Sequence, residues 1–512
     1  MPLNPISARE EVNRYLVKSD NDKVSSYPHF FTELKLDVFR HITNLTLTFT
    51  HPITVISGSN KSGKTSALMA IACSHYNFKR HNVSNGNWER TTWSKMMRFT
   101  VNDTQTVDWN YHVSYREGTA AHRIHGYRRQ ASGKWGGAAK KSLQIGHPTI
   151  GSPLGGREVT FLDLNRITPG RHLSQSYFNK ARYAIAASIP NEVKVNNYLS
   201  YILEDVYHVQ ELTKAVDGSV YKYTTATSYS SFNTASGEDV LSVILTDILR
   251  TPNNSLILID EIEVGLHPKI QRRLMDVLFM ISKDEHKQFI ITTHSYAVLN
   301  SVPKESRIFI DHSAGNFVSI SGLSTYEALT RMDSTAFPIT SIYVEDYVSQ
   351  SIVNKAIIEL NANHSGISRL LRVVIVGSAK DTYAYFITRN KLRDVEHITT
   401  RAACVLDGDM KESKNNAGDK NYPEQDHLFF HFSNEAPEKM LLRKYLANNP
   451  CISLQYHVDN SNPHCLLQMM VDEGRAISTQ DAFNICFDNY RYSADGQAHF
   501  DALKQFLLNE VQ

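Results

Sequence analysis

Cysteine is scarce. Five residues, Cys73, Cys404, Cys451, Cys465 and Cys486, are scattered over 512 positions without a CxxC pair. A dispersed set, odd in number, builds neither a disulfide framework nor a zinc site, and it argues against a small cross-linked secreted scaffold. His457, His464 and Cys465 lie near one another, but their spacing fits no standard ligand set, so structural roles are expected for them. Long apolar runs are missing too: no stretch reaches the roughly 20 residues that span a bilayer. Met1 to Arg14 is polar and lacks the apolar core of a secretory signal. A cytoplasmic protein without a membrane partner is expected. An apolar content of 41% and a charged content of 21% are those of a globular protein, long enough for two to four domains.

The net charge of +2 is unevenly spread. Between Tyr76 and Lys141, twelve lysines and arginines face four acids, which leaves the rest of the chain net acidic. The same stretch holds all four tryptophans, Trp88, Trp93, Trp109 and Trp135, interleaved with Tyr111, Tyr115 and Tyr127. Alternation over Val107 to Val113 and Ala121 to Tyr127 reads as antiparallel strands. A basic, aromatic β-meander of this kind docks a nucleic-acid backbone, with Arg128 and Arg129 as its test residues, or else it is a solvated sheet whose tryptophans fill a small core. Both readings stay open on the sequence alone.

The strongest signal is a phosphate loop. Ile53 to Ile56 is a short β-branched run, and Gly58-Ser59-Asn60-Lys61-Ser62-Gly63-Lys64-Thr65 then turns into a helix expected to begin near Ser66. Gly58 and Gly63 let the backbone wrap so that successive N–H groups aim at phosphate oxygens, and the helix N-terminus adds partial positive charge. Lys64 supplies a full charge to the β and γ phosphates and the Thr65 hydroxyl is a Mg²⁺ ligand, so ATP or GTP is the expected cofactor. Gly58, Asn60, Gly63, Lys64, Thr65 and Ser66 are the nucleotide-binding candidates from this loop.

A second apolar strand, Ser255 to Ile259, ends in Asp260 and Glu261. Here Asp260 would hold Mg²⁺ through water and Glu261 would polarise the attacking water. The following Ile262 to Pro268 closely resembles the DExExxLHP segment of ABC-type heads in the OLD (overcoming lysogenization defect) and related families. Gln288 to Thr293 then forms a strand ending in His294, which by this resemblance is the switch histidine that senses the γ-phosphate. Thr234 to Glu238 lies where such heads carry their signature motif. Ser236 and Gly237 resemble its tail, although the expected leading leucine is Thr234. The entry Val38-Phe39-Arg40 followed by Leu45 to Phe49 is also similar to RecF-like, SMC-like and OLD-family heads. The resemblance implies an α/β, ABC-type (RecF/SMC-like) P-loop head over residues 1–335, with the basic meander at about 76–141 and a helical insertion at about 170–228. Helical periodicity through Tyr198, Tyr201, Ile202, Val206 and Val209 is the basis of that insertion. Heads of this class clamp ATP between two copies, so a homodimer or higher oligomer is implied.

Beyond a polar break at Asp333 to Ala336, Ile342 to Val344 is a strand tipped by Glu345, Arg372 to Val376 is another, and Ala402 to Leu406 leads into Asp407-Gly408-Asp409. A glutamate on one strand tip and two aspartates on another suit a divalent ion, Mg²⁺ above all with Mn²⁺ as the alternative. This order resembles a Toprim domain, expected at 336–440, with 441–512 as a helical accessory region. An ABC head followed by Toprim is the architecture of OLD-family endonucleases, shared by the Gabija ATPase-nuclease and by effectors of retron systems. The resemblance implies Glu345, Asp407 and Asp409 as catalytic metal ligands, with Glu438 as a further one and DNA as substrate. It also implies an antiphage defence role and, as partners, a reverse transcriptase with its reverse-transcribed DNA. Ser349 stands where many such domains carry a second acid, and Asp346 replaces a usual glycine. An ATP-binding sensor or scaffold with an inactive Toprim domain is therefore the alternative.

Overall fold

The computed structural model describes residues 3–81, 88–103, 105–150, 156–164, 173, 175–215, 218–313, 316–332, 339–363, 367–395 and 400–511. The polar break at Asp333 to Ala336 lies outside them. Two compact units divide the chain, Met1–Ala328 and Leu329–Gln512.

In the first unit, the strands Ile53–Gly58, Leu256–Ile259 and Gln288–Thr292 are buried at every position. Their unbroken β-branched and aliphatic runs suit strands covered on both faces. They are neighbours in a sheet whose order, among the described residues, runs Asn316–Ser321, Arg307–Ser313, Ile53–Gly58, Gln288–Thr292, Leu256–Ile259, Glu158–Leu162, Asn77–His81 and Trp88–Arg90. Pairing is parallel through the middle and antiparallel at both edges. Helices Lys64–Cys73, Ser236–Arg250 and Pro268–Glu285 accompany the central strands. The second of these buries Val240, Leu241, Ile244, Leu245 and Ile248, an apolar stripe at helical spacing. Because the central strands run the same way, the residues just past Gly58, Ile259 and Thr292 gather at one end of the sheet.

An antiparallel sheet of Ile42–Thr48, His29–Phe39, Trp109–Glu117, Ala120–Arg128 and Trp135–Gly137 lies in the same unit. The basic stretch is therefore split, since Asn77–His81 and Trp88–Arg90 belong to the large sheet and only the later strands form the meander. Strict alternation along Trp109–Glu117 turns Trp109, Tyr111, Val113 and Tyr115 inward. Trp93 stacks on Trp135 at 4.3 Å, donates Nε1–H to the Tyr111 hydroxyl at 3.1 Å, and is 1% exposed. Trp109 lies 5.3 Å from Phe39 in the same cluster. These three tryptophans are packing and not stacking platforms, which leaves the exposed basic side chains as the part of the meander open to a nucleic-acid backbone.

The helical insertion is a helix pair followed by strands. Gln175–Ala181 and Glu192–Leu203 are helical, but Glu204 turns left-handed at φ 60° and ends the second helix. His208–Ala215, Gly218–Thr224 and Ser228–Ser230 then form a small antiparallel sheet. Helical spacing through Ile202 is real. Val209, however, is buried as part of a period-two pattern with Gln210 half-exposed beside it.

The second unit is built on a parallel sheet ordered Leu371–Ile375, Thr340–Val344, Arg401–Leu406 and Leu428–Phe430. Alternation sends Ile342, Val344, Ala403 and Val405 to one side, against Val348, Ile352 and Val353 of the helix Tyr347–Asn363. Tyr343, Ala402, Cys404 and Leu406 face the other side, against Phe386 of the helix Ala379–Val395. Helices after residue 440 are part of the first of these cores: Phe483, Phe487, Tyr490, Phe500 and Leu503 share one cluster with Ile342 and Val344.

Candidate functional site

The phosphate loop leaves the buried strand at Gly58, where φ is +151° and an added Cβ would sit 2.5 Å from the Ile310 carbonyl. Gly63, at φ +95°, would place one 2.4 Å from Ile42. Both positions need glycine for space as well as conformation. The helix begins at Lys64, two residues before the expected start. Lys64 is 7% exposed, and its ammonium donates to the carbonyls of Gly58 at 2.8 Å and Ser59 at 3.0 Å. Burial holds its pKa below the usual lysine range, opposed by the charges of Glu261, Asp260 and Glu263. A buried cation folded over the loop and held by two backbone carbonyls and, at 3.5 Å, the Ser62 hydroxyl is placed to exchange them for phosphate. Asn60 is exposed on the loop, while Ser66 is buried and accepts from Arg40 at 3.3 Å.

Thr65 Oγ1 donates to Asp260 Oδ2 at 2.8 Å, so the hydroxyl and carboxylate expected to share Mg²⁺ are in contact. The other Asp260 oxygen accepts from Thr292 Oγ1 at 2.6 Å, and that hydroxyl accepts from the Glu261 N–H at 2.8 Å. A threonine on the adjacent strand thus orients both acids. Glu261 sits at φ +47°, a left-handed conformation that tips it out of the strand. Glu263 is a residue the motif reading left without a role: its two oxygens accept from Thr293 Oγ1 at 2.7 Å and from the His294 N–H at 2.5 Å. His294 is half-buried, and desolvation with the nearby Lys64 charge holds its ring below the usual histidine range, against Glu263, Glu261 and Asp260. This lowering favours the neutral form of the imidazole. The Thr65 and Asp260 pair fits a divalent ion, and the loop fits a polyphosphate.

Ser236 and Gly237 open the helix Ser236–Arg250, and Gly237 lies against the Gly265 carbonyl, 3.3 Å from where a Cβ would be. No hydrogen bond among the described residues joins them to the phosphate loop of the same chain. Glu238 accepts from Tyr207 at 2.7 Å and from Thr234, which locks the turn before the helix.

In the second unit, register brings Val344 opposite Val405, so Glu345 and, one residue further along the adjacent parallel strand, Asp407 emerge at the same end of the sheet. The Asp407 N–H donates to Glu345 Oε1 at 2.8 Å. Ser349, fully buried, donates its hydroxyl to Asp407 Oδ1 at 2.6 Å, and its N–H donates to Asp346 Oδ1 at 2.9 Å. Glu438, in the first turn of the helix Pro437–Asn448, is 2% exposed. Oxygens of Asp409 and Glu438 are buried without a hydrogen-bond partner. Burial and then the Glu345 charge raise the Asp407 pKa, while burial, Asp409 and Asp346 raise that of Glu345 against the Asp407 N–H. Asp409 and Glu438 are raised as well, first by burial. Carboxylates packed this closely, with unsatisfied oxygens, must share protons or a cation, and the donor set fits a hard divalent ion.

His464 was missed. Its Nδ1 lies 2.9 Å from Glu438 Oε1 and 3.5 Å from Asp346 Oδ2. Burial pulls its pKa down, but the bond to Glu438 and the charges of Asp346 and Glu345 outweigh this and raise it. Its partners stand far away in sequence, so spacing to His457 and Cys465 carried no signal. His457 is structural, bonded to Ser461 at 3.0 Å. The two test arginines of the basic stretch are already engaged: Arg128 stacks 3.8 Å over Phe99, and Arg129 pairs with Asp108 at 2.7 Å.

Comparison with known proteins bears on the first unit. A family model described as "AAA domain" matches residues 33–152, and one described as "AAA domain, putative AbiEii toxin, Type IV TA system" matches residues 176–300. The first unit carries an AAA-type ATPase domain. A curated relative, "Retron Vc95 probable ATPase" of Vibrio cholerae serotype O1 biovar El Tor, is 31% identical over 128 residues, which is 22% of this chain and 24% of the relative. The chain thus matches only about a quarter of that relative's length. Among solved structures, the SMC head domain from Thermotoga maritima overlaps at a TM-score of 0.36 and 12% identity, over 57% of this chain and 98% of that one. The recombination mediator RecF overlaps at 0.34 and 14%, over 58% and 99%. No helix among the described residues is long and apolar enough to cross a membrane.

Proposed function

We propose that the chain is an ATP-regulated, divalent-metal-dependent DNA endonuclease of the OLD family, an ABC-type ATPase head joined to a Toprim nuclease domain. The observation that carries this reading is the meeting of Glu345 and Asp407 at adjacent strand ends, with unsatisfied oxygens on Asp409 and Glu438 close by. Glu345, Asp407 and Asp409 would hold Mg²⁺ or Mn²⁺ with Glu438 beside them, and the ion when bound supplies an activated water and charge neutralisation at a phosphodiester. Ser349 keeps Asp407 oriented, and Asp346 fixes the N-terminus of the helix that carries Ser349.

In the head, Lys64 and the loop N–H groups bind the phosphates, Thr65 and Asp260 would share Mg²⁺, and Glu261 orients the attacking water. Glu263 and Thr292 hold the backbone of the His294 and Glu261 turns in place. Ser236 and Gly237 would meet a nucleotide bound by a second copy, so that ATP clamps a dimer and its hydrolysis releases the clamp. DNA phosphates would be met by the exposed Arg123, Lys134 and Lys140 of the meander. The match to a retron ATPase supports a role in antiphage defence, with a reverse transcriptase and its reverse-transcribed DNA as partners.

One feature favours a second reading. Ser349 occupies the place of a second acid, which suits an ATP-dependent scaffold whose Toprim domain does not cut. Nicking of supercoiled plasmid in Mg²⁺ or Mn²⁺ separates the two. Cleavage by the wild type that is lost in Asp407→Ala supports the nuclease, and silence of the wild type in every nucleotide state and with every trigger supports the scaffold.

A further inference from the structure

Three parts of the second unit converge beside the proposed Toprim acids, and two of them, Asp346 and His464, are not metal ligands by the Toprim resemblance. Asp346 caps the helix Tyr347–Asn363, spending Oδ1 on the Ser349 N–H at 2.9 Å and leaving Oδ2 3.5 Å from His464 Nδ1. Glu438 lies in the first turn of Pro437–Asn448, where the helix N-terminus favours its negative charge. Its Oε1 meets His464 Nδ1 at 2.9 Å. His464 is itself set by Asn462, whose side chain accepts from the His464 N–H at 3.1 Å. One ligand atom from each of the three residues falls within 4.8 Å of the others. Donors bound at about 2.2 Å to one ion lie within about 4.5 Å of each other, so small side-chain rotations complete a site.

We infer that Asp346, Glu438 and His464 form a cation position of their own beside Glu345, Asp407 and Asp409, and that it takes a divalent transition ion, Mn²⁺, in preference to Mg²⁺.

An ion pair of His464 with the two acids accounts for less of what is seen. One Nδ1–H cannot serve both carboxylates, and Glu438 Oε2 stays unpartnered on a residue only 2% exposed. A cation held by both Glu438 oxygens would satisfy Oε2, the second Asp346 oxygen and the imidazole together. The donor set also separates Mn²⁺ from Mg²⁺. Mg²⁺ favours an all-oxygen octahedron and keeps its water, whereas a transition ion such as Mn²⁺ takes an imidazole nitrogen beside two carboxylates more readily, and the later transition ions more readily still. The inference deepens the nuclease reading by naming one ion, but it holds whether or not the chain cuts DNA.

The test is Mn²⁺ itself, titrated into the full-length protein without DNA and followed by electron paramagnetic resonance. In the wild type, echo-modulation spectra should show a directly bound imidazole ¹⁴N, and Mg²⁺ should compete poorly for that ion. His464→Ala should lose the nitrogen coupling and bind this Mn²⁺ at least about tenfold more weakly. His464 has a 65% exposed side chain, so its replacement leaves the core intact. His464→Asn, an all-oxygen set, should keep a bound ion and level the Mn²⁺ to Mg²⁺ preference. Asp407→Asn should retain the nitrogen-coupled ion. Wild-type spectra without ¹⁴N coupling, or equal Mn²⁺ affinity in wild type and His464→Ala, would overturn the inference. Nitrogen-coupled Mn²⁺ in a protein that never nicks DNA would sink the nuclease reading alone, and nicking without the coupling would sink this site alone.

Discussion

Replacing Asp407 by asparagine should make the metal-free protein more stable. The change keeps the Ser349 bond, because an amide oxygen accepts as a carboxylate does, and it removes one charge from a position 5% exposed beside Glu345. Burial and Glu345 hold the Asp407 carboxyl well above its usual range, so folding at neutral pH must take up a proton or bury like charges together. That cost is absent when both folded and unfolded chains are protonated. It grows as pH rises from the ordinary carboxylate pKa toward the raised one and is constant above it. Each pKa unit is worth about 1.4 kcal/mol. Shared between Asp407 and Glu345, the relief in Asp407→Asn should be on the order of 1–3 kcal/mol at pH 7.5. For a unit of this size that is a rise of about 2–10 °C in Tm. Calorimetry in EDTA at pH 7.5 and pH 5 measures it, and the advantage of the variant should shrink at the lower pH. Added Mg²⁺ should raise the wild-type Tm by mass action and leave the variant nearly unmoved. A variant less stable than wild type in EDTA, a gap that ignores pH, or an equal response to Mg²⁺ would refute the reasoning.

Glu261→Gln should abolish ATP hydrolysis while keeping ATP bound, and sedimentation with ATP should find a dimer; a monomer would contradict the clamp. Trp93→Ala removes a buried ring stacked on Trp135 and should cost about 3–5 kcal/mol of stability in denaturant melts, with no loss expected if the tryptophans were surface platforms. Charge reversal at Arg123 and Lys134 should weaken DNA binding and flatten its salt dependence in filter-binding titrations. The same change at Arg128 should instead destabilise the fold, because its guanidinium is stacked on Phe99.

Legibility followed the range of the interactions. The phosphate loop, the Asp260-Glu261 strand end and the His294 strand end could be read because backbone geometry ties each to a local pattern of glycine, β-branched and acidic residues. The meeting of Glu345 with Asp407 was also within reach, since strand tips in a parallel sheet gather at one end. The insertion departs from the helical reading after Leu203 because one left-handed residue, Glu204, ends a helix whose apolar spacing continues by chance through Val206 and Val209. The tryptophans looked alike as platforms or as core until pairing turned Trp109 inward. Contacts among single side chains from distant segments left no trace: His464 with Glu438 and Asp346, Glu263 with the His294 N–H, and Thr292 with Asp260. Each depends on tertiary placement alone.

The most direct measurement is anomalous diffraction from crystals of the full chain soaked in Mn²⁺, compared with the Asp407→Ala variant. The expected result is a peak bounded by Glu345, Asp407 and Asp409 in the wild type that disappears in the variant. Crystals that bind no ion among these acids at millimolar Mn²⁺, or bind it equally well without Asp407, would contradict a metal-dependent cutting site.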